Sequence, residues 1–268
     1  MAEHDGLVPA DLAAALRSVV ADVHHGGRAL LALDFDGVLA PLQDDPELSR
    51  ALPESAAALQ RLADVPGVTL ALVSGRAVDD LAAKADVPEG TWLVGSHGAE
   101  RGRWTLGGLD RVPLAVPPDA EKLLSALRAE LGSAVAGTTG RLELKPASVV
   151  LHTRTATRDD AQRLTGLALG LGSRPGVDAI HGKDVVELAV LRVTKGDALE
   201  ALRTETDATV LLYAGDDVTD ERAFAVLRPD DVTVRVGPGE TAARFRVADP
   251  HAMATVLAGL ADGLASPG

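Results

Sequence analysis

Ala29-Leu-Leu-Ala-Leu-Asp34-Phe-Asp36-Gly37-Val38 is the stretch on which the fold turns. Five apolar residues run without a break and stop at two carboxylates, Asp34 and Asp36, separated by one residue. A short unbroken apolar run fits a strand buried on both faces, as in parallel sheets. Three further runs share the plan. Val68 to Val73 ends at Ser74-Gly75-Arg76, and Ala208 to Ala214 ends at Gly215-Asp216-Asp217. Val232-Thr-Val-Arg-Val236 is the third. Helical patterns lie around them, over 10–23, 53–63, 78–85, 195–203 and 220–227. This alternation predicts an α/β layered fold with a Rossmann-like parallel sheet and right-handed crossovers.

The stretch 106–188 has another texture. It holds two helical patterns, 118–131 and 159–171, and short alternating segments at 141–145, 148–152 and 184–188. Alternation marks strands with one face in solvent or turned to a cleft. Pro113, Pro117 and Pro118 mark the entry. The expected organisation is a core over 1–105 and 189–268, interrupted by a mixed α+β insertion over 106–188.

Composition narrows the function. The 268 residues suffice for a packed core plus an insertion. With 46% hydrophobic residues but 2% aromatic ones, the interior must be built from Leu, Val and Ala. A net charge of −13 argues against nucleic-acid binding, which needs Lys and Arg to neutralise phosphates. The absence of cysteine excludes a disulfide framework, a thiolate metal site and a cysteine nucleophile. No run approaches the ~20 apolar residues of a membrane span. Met1-Ala-Glu-His-Asp5 is acidic where a signal peptide would be basic. A soluble, cytoplasmic protein without a membrane partner is expected. Lysine is scarce, five (84, 122, 145, 183 and 195) against 21 arginines, as codon bias would produce. Under that bias lysine should persist where a compact ammonium is needed.

The polar clusters carry the chemistry, because open parallel sheets bind ligands beyond the carboxyl ends of their strands. Asp34 and Asp36 follow a buried strand, where uncompensated charge is costly. Gly37 lets the chain turn sharply and fold both over one site. A solvated turn would account for this pair alone. Asp216, Asp217, Asp220 and Glu221 form a second acidic cluster that needs a cation to offset its repulsion. A helix cap explains one or two of them. Oxygen-only donors favour Mg²⁺ over zinc. Ser74-Gly75-Arg76, after a strand and before a helix, suits a phosphate oxygen. Lys195 at a helix start opposes the macrodipole, and a phosphate or an aspartate nucleophile would explain it. Together these clusters describe an aspartate-based phosphoryl-transfer site.

The ordered set Asp-Phe-Asp-Gly, Ser-Gly-Arg, Lys-Gly and Gly-Asp-Asp-Val-Thr-Asp-Glu resembles the four motifs of the haloacid dehalogenase superfamily. Gly95-Ser-His-Gly-Ala-Glu100, Glu143-Leu-Lys145, His152-Thr-Arg154, Gly182-Lys183 and Val186-Glu187-Leu188 are similar to the trehalose-6-phosphate phosphatases within it. The resemblance runs from about Leu30 to Ala248. It implies a haloacid dehalogenase core with an inserted α+β cap that closes over a sugar phosphate. Asp34 would be the nucleophile that forms an aspartyl-phosphate, and Asp36 the general acid and base. The Asp34 side chain, the Asp36 backbone carbonyl and Asp216 would hold Mg²⁺, with Asp217 or Asp220 close by. Ser74 and Lys195 would grip the phosphoryl group. Gly75 and Arg76 complete that loop, Arg76 steadying it. Glu143, Lys145 and Glu187 would reach the sugar hydroxyls, and Lys183 would lie in a turn beside the substrate. His97 is expected to make a structural hydrogen bond.

Two departures from the family pattern are Val38, where a Thr is common, and Thr153, where an aromatic residue is common. Neither touches the implied nucleophile or metal ligands. The implied reaction is hydrolysis of trehalose 6-phosphate by a monomer, functionally paired with trehalose-6-phosphate synthase. Other capped sugar phosphatases (for sucrose 6-phosphate or mannosyl-3-phosphoglycerate), a catalytically silent sensor and a mutase-like transferase are the competing readings. Gly237-Pro-Gly239-Glu-Thr-Ala242 matches a dinucleotide fingerprint, but a strand-like run at 245–247 leaves no room for its helix.

Overall fold

The computed structural model describes residues 8–266. The acidic opening, Met1 to Asp5, lies outside the described residues. In chain order the elements are α1 (Ala10–His24), β1 (Ala29–Leu33), α2 (Pro53–Ala63), β2 (Val68–Val73), α3 (Val78–Ala85), β3 (Trp92–Gly95), β4 (Glu100–Thr105) and β5 (Gly108–Val112). There follow α4 (Pro118–Val135), β6 (Arg141–Lys145), β7 (Ser148–His152), α5 (Arg158–Gly172), β8 (Asp178–Gly182) and β9 (Val185–Ala189). The chain ends with α6 (Lys195–Thr206), β10 (Val210–Gly215), α7 (Val218–Phe224), β11 (Val232–Val236), β12 (Phe245–Val247) and α8 (Pro250–Ala265).

These elements form two units, one made of residues up to Val112 together with Thr194 onward, the other Pro113–Val193. The first is built on an eight-stranded sheet in the order β12-β11-β10-β1-β2-β3-β4-β5. Strands β12 to β3 pair in parallel, and β4 and β5 add an antiparallel edge. Because successive side chains of a strand point to opposite faces, β1 serves two cores at once. Ala29, Leu31 and Leu33 join one with α1, α2, α3 and α8, while Leu30 and Ala32 join the other with α6 and α7. All five are buried, and that is why the run shows no polar alternation. The sequence-based expectation of a Rossmann-like α/β core with an inserted α+β unit describes the fold.

The second unit carries a four-stranded antiparallel sheet, β6-β7-β9-β8, with α4 and α5 on one face. Leu127 and Leu131 of α4 and Leu164, Ala168 and Leu171 of α5 pack on Val149, Leu151, Val186 and Leu188. Its bounds differ from the 106–188 read from texture. Residues 108–112 hairpin back onto β4, with Arg101 opposite Val112, so they extend the core sheet. Their alternation is that of a wet edge hairpin. At the far end the Val190 amide donates to Ala147 O at 2.9 Å and keeps the chain with the insert past 188.

Candidate active site

Leu33 stands in register with Leu72 on one side and Ala214 on the other, so β1, β2 and β10 end level. Their carboxyl ends place Asp34, Ser74 and Asp216 along one edge of the sheet. A cleft of about 420 Å³ opens there, lined by Asp34, Asp36, Ser74, Gly75, Arg76, His97, Asp216 and Asp217, with Leu42, Gln43, Pro46 and Ser49 from the loop after β1. Gly37 makes the convergence possible. Its φ is +76°, and a Cβ there would fall 2.1 Å from Asp216 Oδ2. The two acidic clusters, 180 residues apart in sequence, thus meet across a position only glycine can occupy.

At the floor lies a buried ion centre. Lys195, the first residue of α6, is 1% exposed and donates from Nζ to Asp34 Oδ2 at 2.6 Å and to Asp220 Oδ1 at 2.7 Å. Thr194 and Asp197 cap the helix reciprocally, which fixes where the lysine starts. Asp220 also accepts from Tyr213 OH at 2.5 Å on Oδ1, and from the amides of Asp216 and Asp217 at 2.8 and 3.0 Å on Oδ2. Four donors therefore fill the four lone-pair sites of a carboxylate. Asp34 is less committed. Its Oδ1 accepts from Phe35 N at 2.6 Å and its Oδ2 from Lys195, leaving one lone pair on each oxygen.

Electrostatics follow this packing. Burial pushes the Asp34 carboxyl well above its ordinary value, opposed by Lys195 and reinforced by Asp220. Burial would lower Lys195, but Asp34, Asp220 and Asp217 outweigh it and keep the ammonium charged. Asp216 is pushed up to about 6 by burial and by Asp220 and Asp217. Asp217 experiences burial in the same sense, yet Lys195 and its bonds from Thr219 and the Asp220 amide bring it down to about 2. It is the N-cap of α7, where it forms a capping box with Asp220.

Asp34, Asp217 and Asp220 each offer a carboxylate oxygen within 4.8 Å of the others, and Asp216 is beside them over Gly37. A cluster of oxygen donors in which neighbouring carboxylates raise the proton affinity of Asp34 and Asp216 fits a hard divalent cation. Asp220, with every lone pair taken, fits less well than Asp34, Asp216 and Asp217. Its geometry is that of a residue holding Lys195 and the 215–217 turn.

The Asp36 carboxylate is engaged on the other side of the cleft. Arg76 Nε donates to its Oδ2 at 2.6 Å and Arg76 Nη2 to its Oδ1 at 2.9 Å, and Ser49 Oγ donates to Oδ1 at 2.5 Å. Burial would raise its pKa, but the bonds from Arg76 and Ser49 hold it below the usual range. Ser74 is buried, and its Oγ accepts from Arg76 N at 3.2 Å. The His97 ring lies where a Cβ on Gly75 would be, 2.5 Å from that point.

The sequence profile of the trehalose-phosphatase family matches residues 32–251. The chain belongs to the trehalose-phosphatase family. A trehalose-phosphate phosphatase of Mycobacterium marinum is 32% identical over 258 residues, covering 90% of this chain and 63% of that one. A probable trehalose-phosphate phosphatase of Sinorhizobium fredii is 37% identical over 242 residues, covering 86% of this chain and 87% of that one. A crystal structure titled trehalose-6-phosphate phosphatase related protein superposes with a TM-score of 0.61 at 27% identity, covering 87% of this chain and 97% of the other. The fold recurs in a haloacid dehalogenase-like hydrolase from Bacteroides thetaiotaomicron, with a TM-score of 0.59 at 14% identity over 86% of this chain and 98% of that one. The chain spans 31% of one of the first curated relatives it matches and 63% of two others. Among the described residues no helix is long and apolar enough to cross a membrane.

The insert of this trehalose-phosphatase family member carries the remaining residues singled out by sequence. Glu143 stands opposite Val150, and Val150 opposite Glu187, so both glutamates share a sheet face. That face is turned away from α4 and α5. Lys145 Nζ lies 3.5 Å from Glu187 Oε1, which also accepts from Ser148 Oγ at 2.6 Å. Glu143 Oε2 is 2.9 Å from His152 Nε2. Lys183 is exposed in the β8–β9 turn, where Asp184 takes a φ of +60°.

Sequence reasoning missed two polar partners. Tyr213 had a usable signal, being the lone tyrosine of the chain in an aliphatic strand, where a hydroxyl must find a partner. Ser49, on a loop 13 residues from Asp36, had none. His97, expected to make a structural hydrogen bond, lines the cleft.

Proposed function

We propose that this chain hydrolyses trehalose 6-phosphate to trehalose and phosphate through an aspartyl-phosphate on Asp34, with Mg²⁺ as cofactor. The observation that carries the reading is Asp34, buried and pinned by Lys195 with a lone pair free on each oxygen, at the floor of a cleft shared with Asp36 and Ser74. An Asp34 oxygen attacks phosphorus as the bond from phosphorus to the sugar oxygen breaks. Asp36, protonated from solvent before this step, gives that oxygen its proton. It then takes a proton from the water that attacks the aspartyl-phosphate, and Asp34 is regenerated as phosphate leaves. Lys195 uses two of its three N–H donors on Asp34 and Asp220, and the third is available to a phosphoryl oxygen. Ser74 Oγ donates to another. When bound by Asp34, Asp216 and the Asp36 carbonyl beside Asp217, Mg²⁺ offsets the repulsion between these carboxylates and an anionic substrate. The hydroxyls of the sugar are taken by Glu143, Lys145 and Glu187, with Lys183 contributing from its turn.

Phosphate release measured across a panel of sugar phosphates, with and without Mg²⁺, tests this reading. Trehalose 6-phosphate should give the highest kcat/KM, and activity should vanish in chelator. Faster release from sucrose 6-phosphate or mannosyl-3-phosphoglycerate would move the chain to another substrate class.

A second expectation concerns pH. Asp34 and Asp216 bind protons more tightly folded than unfolded, so their contribution to the stability of the metal-free protein falls as pH rises above the ordinary carboxylate range, that of Asp216 through about 6. Asp36 and Asp217, held low, contribute in the opposite sense, their stabilising effect being lost as pH falls below the ordinary carboxylate range. Metal binding needs the carboxylates deprotonated. The rise in unfolding temperature caused by a fixed Mg²⁺ concentration should be larger at pH 7.5 than at pH 5.5. An equal rise at both would remove these aspartates from the metal site.

A further inference from the structure

We infer that Arg76 is a positioning residue for Asp36, locking the acid–base carboxylate by a bidentate bond, rather than a ligand of the substrate phosphate. The inference rests on the proposed reaction for the role of Asp36, and on geometry for everything else. Arg76 spends four of the five N–H donors of its guanidinium within the chain. Nε and Nη2 grip the two oxygens of Asp36, Nη1 donates to Asp80 Oδ2 at 2.7 Å, and Nη2 also donates to Pro46 O at 2.9 Å. Its carbon Cζ lies 5.7 Å from the centre of the Phe35 ring, which closes one face of the fork. A phosphate taken bidentately by Arg76 would have to displace Asp36.

The surroundings fix both partners. Lys84, buried on α3, donates to Glu47 Oε2 at 2.8 Å and lies 3.3 Å from Asp80 Oδ1. The loop after β1 is thereby tied to the helix that carries Asp80. From the same loop Ser49 donates to Asp36 Oδ1, and Pro46 accepts from Arg76. Arg76 thus joins three segments around a single carboxylate: the turn after β1, the loop behind it and the first turn of α3. Planar, two-point recognition of a carboxylate is what a guanidinium does and an ammonium cannot. A reacting group displaced by about 1 Å can lose about 10²-fold in rate, and that is the effect expected from releasing Asp36.

A double-mutant cycle decides the matter, with Arg76→Ala, Asp36→Ala and the pair together, assayed on trehalose 6-phosphate and on p-nitrophenyl phosphate with Mg²⁺. Arg76→Ala should lower kcat about 10²-fold with KM within about threefold of wild type. In the Asp36→Ala background, removing Arg76 should cost less than about threefold more, because its only route to the reaction is gone. Arg76→Lys should stay as slow as Arg76→Ala within about tenfold. A KM raised more than tenfold with kcat retained would overturn the proposal and make Arg76 a phosphate ligand. Losses that multiply in the double variant would overturn it as well, showing an action independent of Asp36. Should Arg76→Ala fail to fold, Arg76→Gln, which keeps a donor and part of the aliphatic stem, carries the same cycle. If wild type hydrolyses p-nitrophenyl phosphate but not trehalose 6-phosphate, the substrate reading fails while the cycle on p-nitrophenyl phosphate still judges Arg76.

Discussion

The Asp34→Asn protein is expected to release no measurable phosphate from trehalose 6-phosphate, a loss on the order of 10³-fold or more, while remaining folded. An amide oxygen can still accept from Phe35 N, and Lys195 keeps its bond to Asp220. The substitution also removes a buried carboxylate whose proton affinity burial and the neighbouring Asp220 raise, so the unfolding temperature should hold or rise. Loss of activity then cannot be put down to loss of structure. Quenched reactions with labelled substrate should show hydroxylamine-sensitive label on the wild type and none on the variant. Titration calorimetry should still detect trehalose 6-phosphate binding by the variant. Retained phosphate release would sink the covalent mechanism and leave a water attacking directly. A wild type that binds the sugar phosphate and releases nothing would make the chain a sensor.

The residues that carry this expectation were legible in sequence for a physical reason. β1, β2 and β10 are buried on both faces, so their apolar runs end abruptly where the sheet ends, and the first polar residue is the one at the edge. Lys195 showed itself by conflict, a cation at a helix start where the macrodipole disfavours one, and the structure supplies the two carboxylates that hold it. Other elements escaped. α8 turns a solvent stripe outward at His251, Gly259, Asp262 and Ala265, but small residues make up half of that stripe, so its hydropathy period is faint. Its cap did signal, with Asp249 accepting from Ala252 N and Pro250 at the first turn. β8 is an edge strand with four of its five residues exposed, so burial imposed no pattern on Asp178-Ala-Ile-His-Gly182. The Arg76–Asp36 fork depends on loop geometry, and spacing of 40 residues between two charged side chains carries no such information.

Lys195→Met is expected to destabilise the protein as well as inactivate it. The ammonium is the shared counter-charge of Asp34, 4% exposed, and Asp220, 0% exposed. Removing one member of a buried ion cluster strands the others, at a cost of about 3–5 kcal/mol. That corresponds to an unfolding temperature lower by roughly 10 °C. Without the ammonium that opposes it, burial would make Asp34 bind its proton more tightly still in the folded state, so the deficit should grow as pH rises and be smaller at pH 5 than at pH 8. Adding Asp220→Asn should restore part of the stability, because the amide leaves no orphaned charge and still accepts from Tyr213 OH or the 216–217 amides. Activity should not return, since no donor replaces Nζ beside Asp34. Thermal unfolding of the two variants at both pH values, beside phosphate release, separates the structural from the chemical role. A Lys195→Met protein as stable as wild type at pH 8 would mean that Asp34 and Asp220 do not depend on this lysine for their charge balance.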